Sequence, residues 1–289
     1  MKLALEAIGL EKSSFLYKSI SQNKPNSRLN WPLDTKLVDI LSQLNDEELT
    51  LGYRKTTAYI NSCLSLNGTV YNKKKVYRHM KQLGLLQKRY RKKPKQLKSP
   101  SVTWYSPLQS NSRWEADLTT LVLKDGSHMY LCAVMDTYDR EVIGNFLGFR
   151  CRAIDAVQAL KMAVSSRFKS DVVPTDITLD IRLDRGSQFT AKEFGDSARQ
   201  ANIHMEFCDI QAPNQKPFIE SFFSSFKREV VYRHEFSNPI QIFNAWSQYV
   251  LWYNSKRPHS ALNFLSPLQF RALPLNAVQG GALFSLISN

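Results

Sequence analysis

Cysteine is scarce in this chain and unpaired by spacing: Cys63, Cys132, Cys151 and Cys208 are scattered, with no CxxC unit among them. That excludes a disulfide framework, and Cys132 and Cys208 fall in apolar, strand-like surroundings suited to buried free thiols. The five histidines show no paired spacing with cysteine, so a structural zinc module is not expected either. No apolar run approaches the roughly 18 residues that a membrane-spanning helix needs. The start, Met1-Lys2-Leu3-Ala4-Leu5-Glu6, meets an acid too early for a secretory signal, and no leucine heptad precedes the basic region. Together these absences predict a soluble protein of a reducing, cytoplasmic compartment with no membrane partner.

Acids are scarce in one region only. Residues 1–100 hold 20 Lys/Arg against 7 Asp/Glu, whereas residues 101–289 hold 19 against 18. Almost all of the net charge of +14 therefore lies in the first third. A basic segment beside a near-neutral one fits phosphate binding in one place and different chemistry in the other. A length of 289 with 43% hydrophobic residues suffices for one sizeable domain plus a smaller one.

Residues 1–30 read as a short amphipathic helix and a polar linker, and 34–45 as a second helix with Leu37, Ile40, Leu41 and Leu44 on one face. A helix pair follows at 53–66 and 72–83, separated by an Asn67-Gly68 turn. In its second helix Val76, Met80 and Leu83 form the apolar stripe, while Lys73, Lys74, Lys75, Arg78 and Lys81 crowd elsewhere. That is the pattern of a helix-turn-helix with a polar face against DNA, although a solvated basic helix would read alike. Residues 88–98 then hold seven basic residues in eleven, without apolar periodicity, as in an extended arm. Arg89, Arg91, Lys92 and Lys93 of this arm are candidates to neutralise DNA phosphates.

From Ser112 the period changes. Strand-like runs at 112–123, 128–136 and 141–149 precede a helix at 153–168, a strand at 176–182, a helix at 191–201 and a strand at 203–208. The last clear helix carries a stripe of Ile240, Phe243, Trp246, Tyr249, Val250 and Tyr253.

Three carboxylates stand in distinctive contexts: Asp117 in Trp114-Glu115-Ala116-Asp117-Leu118-Thr119, Asp184 in Leu183-Asp184-Arg185-Gly186-Ser187-Gln188-Phe189, and Glu220 in Phe218-Ile219-Glu220-Ser221-Phe222-Phe223. Converging acids repel unless a cation neutralises them, and hard oxygen donors suit Mg²⁺ or Mn²⁺. At about 100° per residue, Ile219, Phe222, Phe223 and Phe226 form one buried face. Glu220 and Lys227 then lie side by side at its edge, and Glu229 projects nearly opposite Glu220. Among competing acids, Asp136 reads as a turn organiser before Arg140, Asp180 as structural, and Glu115 stays unassigned.

With Asp184 and Glu220 separated by 35 residues, the chain resembles a DDE transposase of the retroviral-integrase superfamily, the OrfB type of insertion sequence family three. Two further blocks carry the resemblance: Leu51-Gly52-Tyr53-Arg54-Lys55-Thr56 with Val76-Tyr77-Arg78-His79-Met80, and Trp252 through Leu262 followed by Ser266-Pro267. Two places depart from the family: Gln215-Lys216-Pro217 where Asp-Asn-Ala is common, and Leu183 where Ser is common.

The resemblance implies an α/β, RNase H-like (retroviral integrase-like) mixed five-stranded sheet with flanking helices, preceded by a small all-helical helix-turn-helix domain. It divides the chain into an N-terminal helical segment (1–45), a helix-turn-helix (46–87), a basic linker (88–105), a catalytic core (106–235), and a C-terminal helix and tail (236–289). It further implies two Mg²⁺ ions, with Mn²⁺ as substitute, held by Asp117, Asp184 and Glu220. Lys227, Arg185 and Gln188 would contact DNA. The implied partners are element ends and target DNA, other copies of the chain assembled on DNA, and an upstream-frame OrfA product or fusion, in a bacterial, nucleoid-associated setting. A nuclease without strand transfer and a non-catalytic DNA-binding regulator of transposition are the alternatives.

Overall fold

The computed structural model describes residues 32–64, 69–87, 107–209 and 215–274. The expected helix within 1–30, the Asn67-Gly68 turn, the basic arm and the tail from 275 lie outside them. The first described helix, α1 (Thr35–Ser42), is capped by Asp34, whose carboxylate accepts the Leu37 N–H at 3.2 Å. The short α2 (Asp46–Leu49) leads to α3 (Tyr53–Tyr59), which passes into a π-helical turn, Ile60–Leu64. Next, α4 (Lys73–Gln82) starts at Asn72, whose side chain accepts the Lys74 N–H at 2.8 Å. Leu37, Leu41, Ile60, Val76 and Met80 bury together as the core of this helical cluster. Leu83, expected in the stripe, is exposed because α4 ends at Gln82 and Leu83 occupies the C-cap.

The second part is a mixed sheet. Its strands are β1 (Arg113–Val122), β2 (His128–Asp136), β3 (Val142–Gly148), β4 (Asp180–Leu183) and β5 (His204–Phe207), in the spatial order β3-β2-β1-β4-β5. β1, β2 and β3 are antiparallel neighbours, and β4 and β5 run parallel to β1. Along the chain, α5 (Ala153–Phe168) joins β3 to β4, and α6 (Ser187–Thr190) and α7 (Lys192–Gln200) join β4 to β5. After β5 come α8 (Pro217–Phe226), α9 (Pro239–Ser255) and α10 (Pro267–Arg271). The fold is thus the RNase H-like sheet with a helix-turn-helix-like region before it.

Strand alternation splits the core between two faces. Trp114, Ala116, Cys132 and Val134 pack with α5 and α7, and Leu121, Leu131, Ala133 and Met135 pack with α8 and α9. Gly144 of β3 is needed for the first contact, since a Cβ there would lie 2.2 Å from the Ala159 carbonyl oxygen of α5.

Two expectations shift. β4 is shorter than 176–182 because a turn, closed by the Ile177 N–H on the Pro174 carbonyl at 3.0 Å, takes up its first residues. In α9 the buried stripe is Ile242, Trp246, Tyr249 and Tyr253, while Ile240 and Phe243 are exposed. One turn before Trp246 lies residue 242, so the inward face runs through Ile242 rather than through its flanking apolar neighbours. Among the described residues no helix is long and apolar enough to cross a membrane.

Candidate active site

Odd-numbered residues of β1 face α8. Glu115, buried on that side, accepts the backbone N–H groups of Phe218 at 3.1 Å and Ile219 at 2.9 Å. These are among the donors that a helix start leaves without intrahelical partners, so the Glu115 carboxylate docks the N-terminus of α8 onto β1. Burial pushes its pKa up to about 7, against the opposing pull of the Ile219 N–H and of Arg140. The sequence left Glu115 unassigned, although its two-residue offset from Asp117 on a strand was a readable sign that both share a face.

Asp117 stands on that same face. The β1–β4 register pairs Glu115 with Arg182, and continued by two residues it sets Asp184 beside Asp117. Lys216, immediately before α8, reaches between them. Its Nζ lies 2.8 Å from Asp117 Oδ1, 3.3 Å from Asp184 Oδ2 and 3.2 Å from the Ala116 carbonyl oxygen. Burial lifts the Asp117 carboxyl above its ordinary range while Lys216 opposes the shift. Burial would depress the ammonium in turn, but Asp117 and Asp184 outweigh it and hold Lys216 charged. Asp184, at the end of β4, accepts the Gly186 N–H at 2.9 Å, which fixes the turn beyond the strand.

Glu220 lies in the first turn of α8, exposed, and its N–H donates to the Lys216 carbonyl at 3.2 Å. It therefore stands one helical turn beyond the lysine that joins the two aspartates. Among the described residues no group of three or more His, Cys, Asp or Glu side chains is assembled to hold a metal ion. What is assembled is a pair of carboxylates around one cation, with Glu220 next along the same helix. Two hard carboxylates converging on a positive charge form a donor set suited to a divalent ion.

The other acids have structural work. Asp136 accepts the N–H groups of Tyr138 at 2.8 Å and Asn111 at 2.7 Å, and its carbonyl accepts Arg140 N–H, which organises the turn as expected. Asp139 and Glu141 neutralise the buried Arg167 at 2.9 and 3.2 Å. Asp180 pairs with His204 at 3.0 Å at the start of β4. Past Phe226 the α8 helix passes into a π-helical turn, Lys227–Val231, and Glu229 is buried there. Its carboxylate takes two hydrogen bonds from Arg257, at 2.8 and 2.6 Å, and one from Tyr249 at 2.9 Å.

The block from Trp252 to Leu262 is a clamp. Asn254 exchanges two hydrogen bonds with the Val142 backbone at 3.0 and 2.9 Å, and Ser266 caps α10. His259 is buried, edge-on to Tyr253 at 4.5 Å. Burial, then Arg257 and Lys55, hold its imidazole well below the usual range, so it packs as a neutral ring.

The remaining candidate contacts diverge. Lys73, Lys74 and Arg78 are exposed on α4, whereas the Lys75 ammonium is held by Asp34. Arg185 is exposed and donates to the Cys208 carbonyl at 3.3 Å, and Lys227 is half-buried at the start of the π-helical turn. Gln188 is buried, folded back against Gly186, where a Cβ would meet its amide nitrogen at 2.4 Å. Arg89, Arg91, Lys92 and Lys93 lie outside the described residues.

Glu115→Gln keeps an oxygen to accept the α8 N–H groups and removes the charge. Because the folded pKa of Glu115 is raised from 4.5 to about 7, its favourable contribution is complete below pH 4.5 and is lost as pH rises through 7. Urea melts of wild type and Glu115→Gln are expected to converge near pH 5. By pH 8 the balance should shift toward the variant by about 2–3 kcal/mol. A difference independent of pH would contradict this.

Residues 107–213 and 201–267 match integrase core domain families, and residues 33–94 match an HTH-like domain family. A 31.7 kDa protein of insertion element IS407 from Burkholderia multivorans is 27% identical over 93% of this chain and 89% of its own length. Transposase InsD of insertion element IS2D from Escherichia coli K12 is 26% identical over 82% and 78%, respectively. The transposase of IS904 from Lactococcus lactis is 24% identical over 73% and 85%. Among solved structures, a chain of the simian T-cell lymphotropic virus intasome aligns over 68% of this chain and 67% of its own, with a TM-score of 0.51 and 19% identity.

Proposed function

We propose, from the premise that this chain belongs to the DDE transposases of insertion sequence family three, that it cleaves and joins DNA strands through Asp117, Asp184 and Glu220. The observation that carries the reading is the meeting of Asp117 and Asp184 around a single positive charge, with Glu220 one turn along α8. Asp117, Asp184 and Glu220 would hold two Mg²⁺ ions, or Mn²⁺ in their place, which when bound polarise a phosphodiester and activate its attacking oxygen.

The chain supplies the frame for that chemistry. β1 carries Asp117, Asp184 directly follows the adjacent β4, and Glu115 fixes the approach of α8. Arg185 and Lys227 flank the acids as candidates to hold phosphates of the bound strand. Lys73, Lys74 and Arg78 on α4, with the basic arm at Arg89, Arg91, Lys92 and Lys93, are proposed to bind the element end and to account for the charge excess of the first third. Water is the first attacking group and frees a 3′-OH, and that hydroxyl is the second, directed at target DNA. No protein nucleophile is needed in either step. Assembly of several copies on two DNA ends, action with an OrfA product or fusion, and a bacterial, nucleoid-associated setting belong to this reading.

Incubation of the purified full chain with end-labelled element-terminal duplex, target plasmid and Mg²⁺ tests it, alone and fused to the upstream frame. Joined products are expected in at least one arrangement. Cleavage without joined product in both would reduce the reading to a nuclease, and binding without cleavage in both would reduce it to a regulator.

A further inference from the structure

We propose that Lys216 is an internal counter-cation of the acidic site: its ammonium occupies the cation position between Asp117 and Asp184 in the metal-free chain, and a divalent ion must displace it to bind there. The inference rests on the reading of Asp117 and Asp184 as ion ligands, and it concerns what competes with the ion.

Geometry carries it. Lys216 Nζ is surrounded by three oxygens, from Asp117, Asp184 and the Ala116 carbonyl, at 2.8, 3.3 and 3.2 Å. The ammonium donates hydrogen bonds to Asp117 and to the Ala116 carbonyl and forms an ion pair with Asp184, so three oxygens neutralise and hold it where it stands. The side chain is 7% exposed, against 18% for Asp117 and 43% for Asp184. Lys216 is therefore seated beneath the two carboxylates, whereas Asp184 opens to solvent, the side from which an ion arrives.

Electrostatics makes the two occupants exclusive. A divalent ion drawn to the same pair of carboxylates would sit within a few ångström of the ammonium, and at such distances the repulsion is large in a partly buried setting. The lysine also explains how the chain keeps the pair of acids together before any ion arrives, since two carboxylates at this separation otherwise repel. Its backbone leaves it room to respond. Lys216 is the N-cap of α8, with φ −122° and ψ 57°, and so stands outside the rigid helical frame that begins with Pro217. The same position couples it to Glu220 through the Glu220 N–H on its carbonyl, so the residue holding the aspartates also adjoins the third acid.

The test is equilibrium Mn²⁺ binding to the full chain without DNA, read by isothermal titration calorimetry, for wild type, Lys216→Met, Lys216→Arg and Asp184→Asn. Lys216→Met, which keeps the stem and removes the charge, is expected to bind Mn²⁺ at least about tenfold more tightly. Lys216→Arg should stay close to wild type, and Asp184→Asn should bind more weakly. The metal-free Lys216→Met protein should also melt below wild type and recover with Mn²⁺ by a larger shift than wild type shows. Unchanged or weaker binding by Lys216→Met, with Asp184→Asn weakened, overturns the competition while leaving the acidic site in place. Unchanged binding by Asp184→Asn removes the acidic site itself, and the inference with it. Should Lys216→Met fail to fold, Lys216→Gln is read by the same criteria.

Discussion

Asp184→Asn should abolish Mg²⁺-dependent strand cleavage while leaving the fold and DNA binding in place. The substitution is close to isosteric, and its side-chain oxygen can still accept the Gly186 N–H that Asp184 accepts at 2.9 Å, so the turn after β4 should persist. What disappears is one of the two negative charges that converge on a single cation position. Charge stabilisation by a bound ion contributes several kcal/mol to such a reaction. Since each 1.36 kcal/mol is tenfold in rate, a loss of about a thousandfold is expected. Cleavage of end-labelled duplex at saturating Mg²⁺ measures it, alongside the affinity for DNA at fixed salt. Cleavage within tenfold of wild type would remove Asp184 from the chemistry. A collapse of DNA affinity to match would make the effect structural.

The second large effect falls on a different glutamate of the same helical run. Glu229→Ala is expected to cost about 3–5 kcal/mol of stability, because it leaves Arg257 buried without its counter-charge. Burial would raise the Glu229 carboxyl, but Arg257 prevails and holds it below its ordinary range. A carboxylate held low contributes stability above its unfolded pKa of about 4.5, and that contribution fades as pH falls through the lower folded value. Urea melts at pH 7 and pH 3 should therefore show a large gap between wild type and Glu229→Ala that narrows on acidification. A change under about 1 kcal/mol at pH 7 would contradict the buried-pair account. Glu220, nine residues earlier in the same helical run, is exposed in the first turn of α8, whereas Glu229 is buried.

The sequence made the order of elements readable because alternation and helical spacing mark buried faces directly. The helix at 153–168 coincides with α5, and the phenylalanine stripe of Ile219, Phe222, Phe223 and Phe226 is buried as its spacing required. Asp136 as a turn organiser was also legible, from its place at a strand end before Arg140. Misses came where tertiary contact outranks local pattern. Ile240 and Phe243 are apolar yet exposed, since the face of α9 is set by what β3 and α8 offer to Trp246 and Tyr249. Lys216 and the docking role of Glu115 were hidden for a related reason. A lysine before a proline and a glutamate in a strand carry no motif, and their roles arise only when α8 is laid across β1.

The arrangement has a consequence for how the acids are kept. Asp117 lies in β1 and Asp184 directly follows the adjacent β4, and a helix start anchored by Glu115 places Lys216 between them, with Glu220 one turn further along α8. Position is thus settled by backbone pairing and capping, and charge by the lysine. Neither depends on the exposed basic residues of α4.

The side chains at 117, 184 and 220 are proposed to share one cation-binding place. Mn²⁺ soaked into crystals of the full chain, followed by anomalous diffraction, tests it most directly. The account predicts an anomalous peak between the carboxylates of Asp117 and Asp184, in the position of the Lys216 ammonium, with Glu220 turned toward it and the lysine moved away. Density for Mn²⁺ elsewhere on the chain, with Lys216 still bound to both aspartates at saturating metal, would contradict it.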